Sequence, residues 1–257
     1  MHSFLPKKET LALCARYAAV CERIDKAALS SGRQPEGITL IAVSKRHPAG
    51  AVAALLPAWN RGWPIFGENY VQEALHKQEE VTALLQGGSD TLPRPEWHCI
   101  GHVQSRKASD IVGRFSLIHT LDSEKLALAI QKAVIARQLP PQNVLLQINI
   151  GRETQKSGIF PEKAEQLLET LIPMCAIHID GLMCLPPFSD NADDSRPHFA
   201  AMRRLRDNLT RLTGLALPHL SMGMSHDCEI AVSEGATMVR VGTDIFGPRT
   251  LNVPRQV

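Results

Sequence analysis

The sequence predicts an α/β chain folded as a single-domain (β/α)8 TIM-type barrel with one extra helix at its N-terminus. Three observations predict it. Eight short apolar runs alternate with segments of helical periodicity, and alternation implies parallel strands joined by right-handed crossovers. Eight such units in 257 residues match the usual size of a barrel. No G-x-G-x-x-G follows the first strand, which weakens the rival, an open doubly wound sheet around a dinucleotide. The expected boundaries are a leading helix and linker over 1–37, the barrel over 38–247 and a tail over 248–257 within one domain 1–257.

The leading helix spans 9–30, with Leu11, Cys14, Ala18, Cys21 and Ile24 at helical spacing. Gly32 and Pro35 then break the chain. The first strand, Ile38 to Ser44, is a continuous apolar run that suits a strand covered on both faces, and Lys45 stands at its end. Pro48 suits the start of a helix with Val52, Leu55, Leu56 and Trp59 buried, and Pro57 ends or kinks it. Strand two runs from Pro64 to Asn69, with Asn69 as cap of a helix that buries Val71, Ala74 and Leu75. Residues 86–95 read as a loop. Strand three is Trp97–Gly101, with Ser105 capping a short helix that ends at Gly113. Strand four is Leu117–Leu121, with Asp122 or Ser123 capping a helix that bears Leu126, Ile130 and Val134. Strand five is Val144–Ile150, and its polar loop leads to a helix from Pro161 with Ala164, Leu167, Leu168 and Leu171 aligned. Strand six is Ile177–Leu185, followed by a helix with Met202, Leu205, Leu209 and Leu212 on one face. Strand seven is His219–Ser225, with a helix that ends at Gly235, and strand eight is Met238–Thr243.

A net charge of +2 is too small to mark a nucleic-acid or membrane surface. The densest basic group, Arg203, Arg204, Arg206 and Arg211, reads as the solvated face of a helix. The six cysteines form no C-x-x-C pair and suit small core residues in a reducing compartment. The polar N-terminus lacks a signal core, and no run of about 18 apolar residues occurs. The expectation is a cytoplasmic monomer, since no exposed apolar stripe argues for an obligate dimer.

In a barrel the chemistry collects at the carboxyl ends of the strands. Those ends carry Lys45, Glu68, Asn69, His98, His102, Asn149, Met183, Ser221, Ser225, Arg240, Gly242 and Thr243. A lysine atop a buried strand can form a Schiff base once a partly desolvated site favours its neutral amine; the plain alternative is a lysine that snorkels to water. Strands seven and eight end in Ser221-Met-Gly223-Met-Ser225 and Val241-Gly242-Thr243, where barrels commonly hold a phosphate; ordinary turn and cap chemistry is the alternative. Asp227 and Glu229 follow closely and must point away from any phosphate. Arg240 lies inside an apolar strand and needs a partner, a neighbouring carboxylate by default or a ligand nitrogen. His98 and His102 straddle a strand end, so they lack the geometry of a zinc pair and suit the barrel mouth. No metal site and no G-x-S-x-G elbow is expected.

Several stretches together resemble the pyridoxal phosphate homeostasis proteins. They are Ala42-Val-Ser-Lys45, Phe66-Gly-Glu-Asn69-Tyr-Val-Gln-Glu73, Trp97-His98 through Gly101, Gln104-Ser-x-Lys107, Gln147-Ile-Asn149-Ile, Lys156-Ser-Gly158, Gly181-Leu-Met183, Ser221-Met-Gly-Met-Ser225, and Met238-Val-Arg240-Val-Gly-Thr243 with Ile245-Phe-Gly247. The resemblance implies a barrel like the N-terminal domain of alanine racemase and pyridoxal 5'-phosphate as cofactor on Lys45. It places the phosphate near Ser221, Ser225, Gly242 and Thr243, sets Arg240 beside the pyridine nitrogen, and lines the pocket with Asn69 and Met222. It departs from the family at His102, at His226 and at His47, where several members carry a second lysine. A cationic Arg240 would disfavour protonation of the pyridine nitrogen and make the ring a poor electron sink. Racemases of this type add a tyrosine from a second domain, which this sequence is not expected to contain, and its own tyrosines are Tyr17 and Tyr70. The expectation is therefore a protein of intracellular cofactor homeostasis with no catalytic residue, and apo-enzymes that use the cofactor as its partners. The alternative is a racemase-like enzyme; a phosphate-binding barrel without a covalent cofactor is a third reading.

Overall fold

A computed structural model describes residues 5–86 and 92–248. The chain runs α1 (Lys7–Ser30), β1 (Thr39–Val43), α2 (Ala49–Leu55), β2 (Ile65–Glu68), α3 (Val71–Gln86), β3 (Glu96–Cys99), α4 (Ala108–Ile111), β4 (Leu117–Leu121), α5 (Glu124–Ala136), β5 (Gln142–Ile148), α6 (Ala164–Leu171), β6 (Ile177–Cys184), α7 (Arg196–Thr213), β7 (His219–Ser221), α8 (Cys228–Ser233), β8 (Met238–Val241) and α9 (Thr243–Phe246). The eight strands pair in sequence order as a closed parallel barrel, with β1 returning to β8. The expected (β/α)8 barrel with its leading helix is the fold observed.

Most differences lie at element ends. Strand seven stops at Ser221, because Gly223 turns the backbone to a φ of 91° that a strand cannot hold. Strand eight stops at Val241, and Thr243–Phe246 coil into α9 where the sequence shows no helical period. Ser123 accepts a hydrogen bond from the Leu126 amide and caps α5. Neither Asn69 nor Ser105 caps: the Asn69 Oδ1 meets no partner, and Ser105 opens a 3-10 turn. The expected tail beyond 248 and residues 87–91 of the expected loop lie outside the described residues.

Alternation along the strands divides the core. Ile41, Leu117, Leu145, Met183 and Met238 fill the barrel interior. The other faces of the strands pack against the helices in one continuous cluster, which includes Leu40, Phe66, Ile118, Leu182 and Val239. Helix α2 is buried along its whole length, and Pro57 sits in the 3-10 turn that ends it. The buried stripe of α1 is Leu13, Tyr17, Val20, Cys21, Ile24 and Ala28; it keeps the expected Cys21 and Ile24 but not Leu11, which is 63% exposed, nor Cys14 and Ala18. Tyr17 decides that phase. Its ring meets Trp59 at 5.1 Å, and Trp59 meets Phe66, which meets Trp97, so an aromatic ladder joins α1 to β3. The Tyr17 hydroxyl donates to Asn60 Oδ1 at 3.1 Å, which makes its burial affordable. All six cysteines are free, and no helix among the described residues is long and apolar enough to cross a membrane.

Since Ile24 is fully buried between α1 and the barrel, Ile24→Ala should remove about 2–5 kcal/mol of stability in a urea titration. A loss below about 1 kcal/mol would show that α1 is an appendage, not part of the core.

Candidate functional site

The end of β1 is held by a buried cluster of charge. Lys77, on α3, is 4% exposed. Its ammonium donates to the Ser44 carbonyl at 2.6 Å, to Glu68 Oε1 at 2.5 Å and to Glu73 Oε1 at 3.0 Å. The Ser44 hydroxyl also donates to Glu68 Oε1, at 2.7 Å. Burial raises the Glu68 carboxyl above its ordinary range, opposed by the Lys77 charge. Glu73 also accepts the amide of Arg46, whose φ of 62° is unusual for a residue with a side chain. The turn Ser44-Lys45-Arg46 is thus fixed from behind on both sides of Lys45. Sequence reasoning passed over this cluster, although its signal was present: Lys77 lies on the same helix face as the buried Ala74 and Val81, one turn from Glu73.

Lys45 itself is half-buried. Ile41 faces the barrel interior, β1 ends at Val43, and Lys45 stands two residues beyond it in the turn that Arg46 completes. The register Ala42↔Val241 sets Gly242 beside Val43. Lys45 and Thr243 therefore emerge from neighbouring strand ends. The side chain of His47 does not take up a lysine's place in the mouth; its ring stacks on Phe246 of α9 at 5.1 Å.

Ser225 and Thr243 follow the ends of β7 and β8, and no hydrogen bond from either hydroxyl is seen among the described residues. Gly223 could not be another residue, since an added Cβ would meet the Ala231 side chain at 2.5 Å. Asn69 stands at the end of β2, with its Oδ1 buried and unpartnered. Gly101 permits that placement, because a Cβ there would lie 2.1 Å from the Asn69 carbonyl oxygen.

Two expected residues face elsewhere. Met222 is fully buried in the layer between strands and helices, so its side chain does not line the mouth. Ser221, expected among the phosphate ligands, points inward and uses its hydroxyl inside the barrel. Arg240 donates to Ser221 Oγ at 2.6 Å and to the Cys184 carbonyl at 2.9 Å. The default carboxylate partner for Arg240 is therefore corrected: the guanidinium is held by neutral acceptors, and burial lowers its pKa.

Behind Ser221 stand two histidines. His119 Nδ1 lies 2.9 Å from Ser221 Oγ, and His119 Nε2 lies 3.0 Å from His98 Nδ1. One arrangement that satisfies this chain has Ser221 donating to His119, and His119 donating to His98. His98 therefore belongs to the interior, not to the mouth; His102 does lie at the mouth, exposed, beside Ser157 and Asp122. Burial pushes His98 down to about 3 and His119 well below its ordinary range, with the Arg240 charge adding to the effect on His119. Both rings are neutral at pH 7.

The arrangement suits a phosphorylated aldehyde. Lys45 offers an amine, Arg240 a donor-only cation, Asn69 an unused acceptor, and Ser225 and Thr243 two unused hydroxyls, all at one end of the barrel. Asn149, by contrast, is occupied: its amide donates to the Glu153 carbonyl at 2.8 Å and accepts the Glu153 amide, which shapes the loop after β5.

Comparison with known proteins shows the family and the fold. Residues 21–250 match the family model described as the N-terminal domain of alanine racemase. The chain is 41% identical to the pyridoxal phosphate homeostasis protein of Aquifex aeolicus, over 92% of this chain and 98% of that one. It is 42% identical to the protein of that name from Pseudomonas aeruginosa, over 92% and 96%. Among solved structures, PipY of Synechococcus elongatus with PLP bound is similar at a TM-score of 0.76 and 34% identity, covering 91% of this chain and all of that one. Alanine racemase from Corynebacterium glutamicum shares the fold at a TM-score of 0.63 and 16% identity, with this chain covering 64% of it.

The neutral histidines give the barrel a pH dependence. Their folded pKa values lie below the unfolded value, so the unfolded chain binds more protons, and stability falls as pH drops below about 6.5. Each histidine should contribute a slope that rises from about 0.7 kcal/mol per pH unit at pH 6.5 toward about 1.4 near pH 5. Urea titrations of His119→Gln should lack one such increment; a slope identical to that of the parent would contradict the neutral pair.

Proposed function

This chain belongs to the pyridoxal phosphate homeostasis proteins, within the alanine racemase N-terminal domain family, and from that membership we propose that it holds pyridoxal 5'-phosphate reversibly on Lys45. The observation that carries the reading is the closure of β1 against β8, which brings Lys45 beside the segment Arg240–Thr243. The relative solved with PLP bound supports the choice of cofactor.

When bound, the cofactor supplies an aldehyde and a ring able to withdraw electrons. Lys45 would hold the cofactor through its amine, which must be neutral to react with that aldehyde. Ser225, Thr243 and the backbone around Gly242 would hold the phosphate. Asn69 would offer its spare acceptor. Arg240 would meet the ring nitrogen as a donor that cannot accept a proton, and its bond to Ser221 orients it.

That last contact favours storage over turnover. A ring nitrogen beside a fixed cation resists protonation, so the ring withdraws electrons weakly. Tyr17 is too deeply buried to act as an acid–base partner. Tyr17 is buried against Trp59, while Tyr70 is exposed and its hydroxyl accepts from Arg46 at 3.1 Å. The protein then serves the homeostasis of the cofactor inside the cell, taking it up and releasing it to apo-enzymes that require it, and it works as a cytoplasmic monomer.

Borohydride reduction followed by mass spectrometry should place the pyridoxyl mass on Lys45. A band near ~420 nm should appear with cofactor and vanish in Lys45→Ala; label on another lysine would refute the assignment. Thr243→Ala should weaken binding by about 1.5–3 kcal/mol at most, through loss of one charge-assisted hydrogen bond. Unchanged affinity would move the phosphate elsewhere. Rapid α-proton exchange with single amino-acid enantiomers in deuterium oxide would instead favour the racemase-like reading.

A further inference from the structure

One guanidinium on α1 reaches both segments that form the phosphate end of the mouth. Arg23 Nε lies 2.5 Å from Glu229 Oε1, and Nη2 lies 3.0 Å from Glu229 Oε2, a forked pair at the start of α8. Nη1 lies 2.5 Å from Asp244 Oδ2, one residue past Thr243. Nη2 also donates to the carbonyl of Ser225 at 2.9 Å. We propose that Arg23 is a positioning residue for the phosphate: it spaces the loops after β7 and β8 and turns two carboxylates away from the anion. The proposal rests on the reading that Ser225, Gly242 and Thr243 hold the phosphate.

Two constraints make such a residue necessary. The first is charge. A phosphate monoester carries between one and two negative charges at neutral pH. Asp227, Glu229 and Asp244 all lie within four residues of Ser225 or Thr243. Asp227 is buried and accepts the Met224 amide at 2.7 Å. The other two meet in Arg23. Burial alone would raise the Glu229 carboxyl, yet the bonds from Arg23 and Cys228 hold it below its ordinary value, while the Arg23 pKa is raised. Without Arg23, two uncompensated carboxylates would border the subsite.

The second constraint is spacing. Strands β7 and β8 are paired in register only at Ser221↔Met238. Beyond that point the Arg240 amide donates to the Gly223 carbonyl, and Arg23 is the tie that follows. Neighbouring arginines anchor the outer ends of the same helices: Arg16 donates to the Ile245 carbonyl and Arg33 to the Val232 carbonyl, both at 2.7 Å. Arg23 differs from them in reaching the mouth-side ends.

The test compares pyridoxal 5'-phosphate with pyridoxal, which has the aldehyde and the ring but no phosphate. In Arg23→Ala the dissociation constant for the phosphorylated ligand should rise at least about tenfold, and that for pyridoxal should stay within about twofold. Adding Glu229→Gln and Asp244→Asn should restore most of the lost affinity, a rescue that packing alone would not give. Arg23→Lys, which keeps the charge but not the fork, should fall between Arg23→Ala and the parent. Should Arg23→Ala not fold, this variant carries the comparison. As a readout independent of the aldehyde, protection from thermal unfolding by inorganic phosphate should weaken in parallel. Equal loss for both ligands, or no loss for either, would overturn the proposal. Thr243→Ala separates the two readings. A preference for the phosphorylated ligand that is unchanged in Thr243→Ala sinks the phosphate assignment itself. A preference that falls in Thr243→Ala but not in Arg23→Ala sinks only the role of Arg23.

Discussion

The pairing of β1 with β8 is the constraint from which the rest follows. Thr39 to Ala42 align with Met238 to Val241, and this last ladder closes the sheet so that no strand is left with an unpaired edge. Because the strands are parallel, closure also brings together chain segments some two hundred residues apart at a single rim. The strand that leads to Lys45 then lies beside the one that leads to Gly242 and Thr243. Neither half of the chain holds a site without the other.

Two buried polar systems flank that seam, and they solve different problems. Beneath Lys45, the Lys77 ammonium is surrounded by one carbonyl and two carboxylates, so its charge is compensated where water is excluded. Inside the barrel, Arg240 makes no ion pair with a carboxylate among the described residues, and Asp227 acts on it only through its charge. Arg240 relies on a hydroxyl and a carbonyl, with two neutral histidines extending the line from Ser221. A guanidinium is more weakly hydrated than an ammonium and tolerates such a place better. The difference suits their positions, since a carboxylate paired with Arg240 would bring negative charge toward the mouth.

Much of the barrel could be read from apolar runs, because parallel strands covered on both faces are written almost continuously in hydrophobic residues. The runs overshot where a backbone torsion, not hydropathy, ends the strand, as at Gly223. They gave the wrong phase for α1, since Cys14 and Ala18 count as apolar while Tyr17, with its hydroxyl bonded to Asn60, takes the buried side. Residue type and strand position made Lys45, Asn69, Ser225 and Thr243 candidates for the proposed site. Met222 was not separable from its neighbours, because adjacent strand residues face opposite layers and the register was unknown. His119 and Arg23 left little trace, for each acts through partners remote in sequence, whereas Lys77 could have been found from its place on the buried face of α3. Arg240 was conspicuous, yet its partners were not, since a carbonyl can be supplied by any residue.

The line of polar groups through the barrel has a further consequence. A core needs shape and hydrocarbon, and guanidinium, hydroxyl and imidazoles supply that need poorly; well-packed aliphatic side chains of similar volume at such places are often as stable or more so. The robust version of this cylinder would be greasy throughout and chemically mute. What the molecule gives up in cohesion at Arg240, Ser221, His119 and His98 it keeps as an oriented field that runs up the axis and opens where a guest would sit.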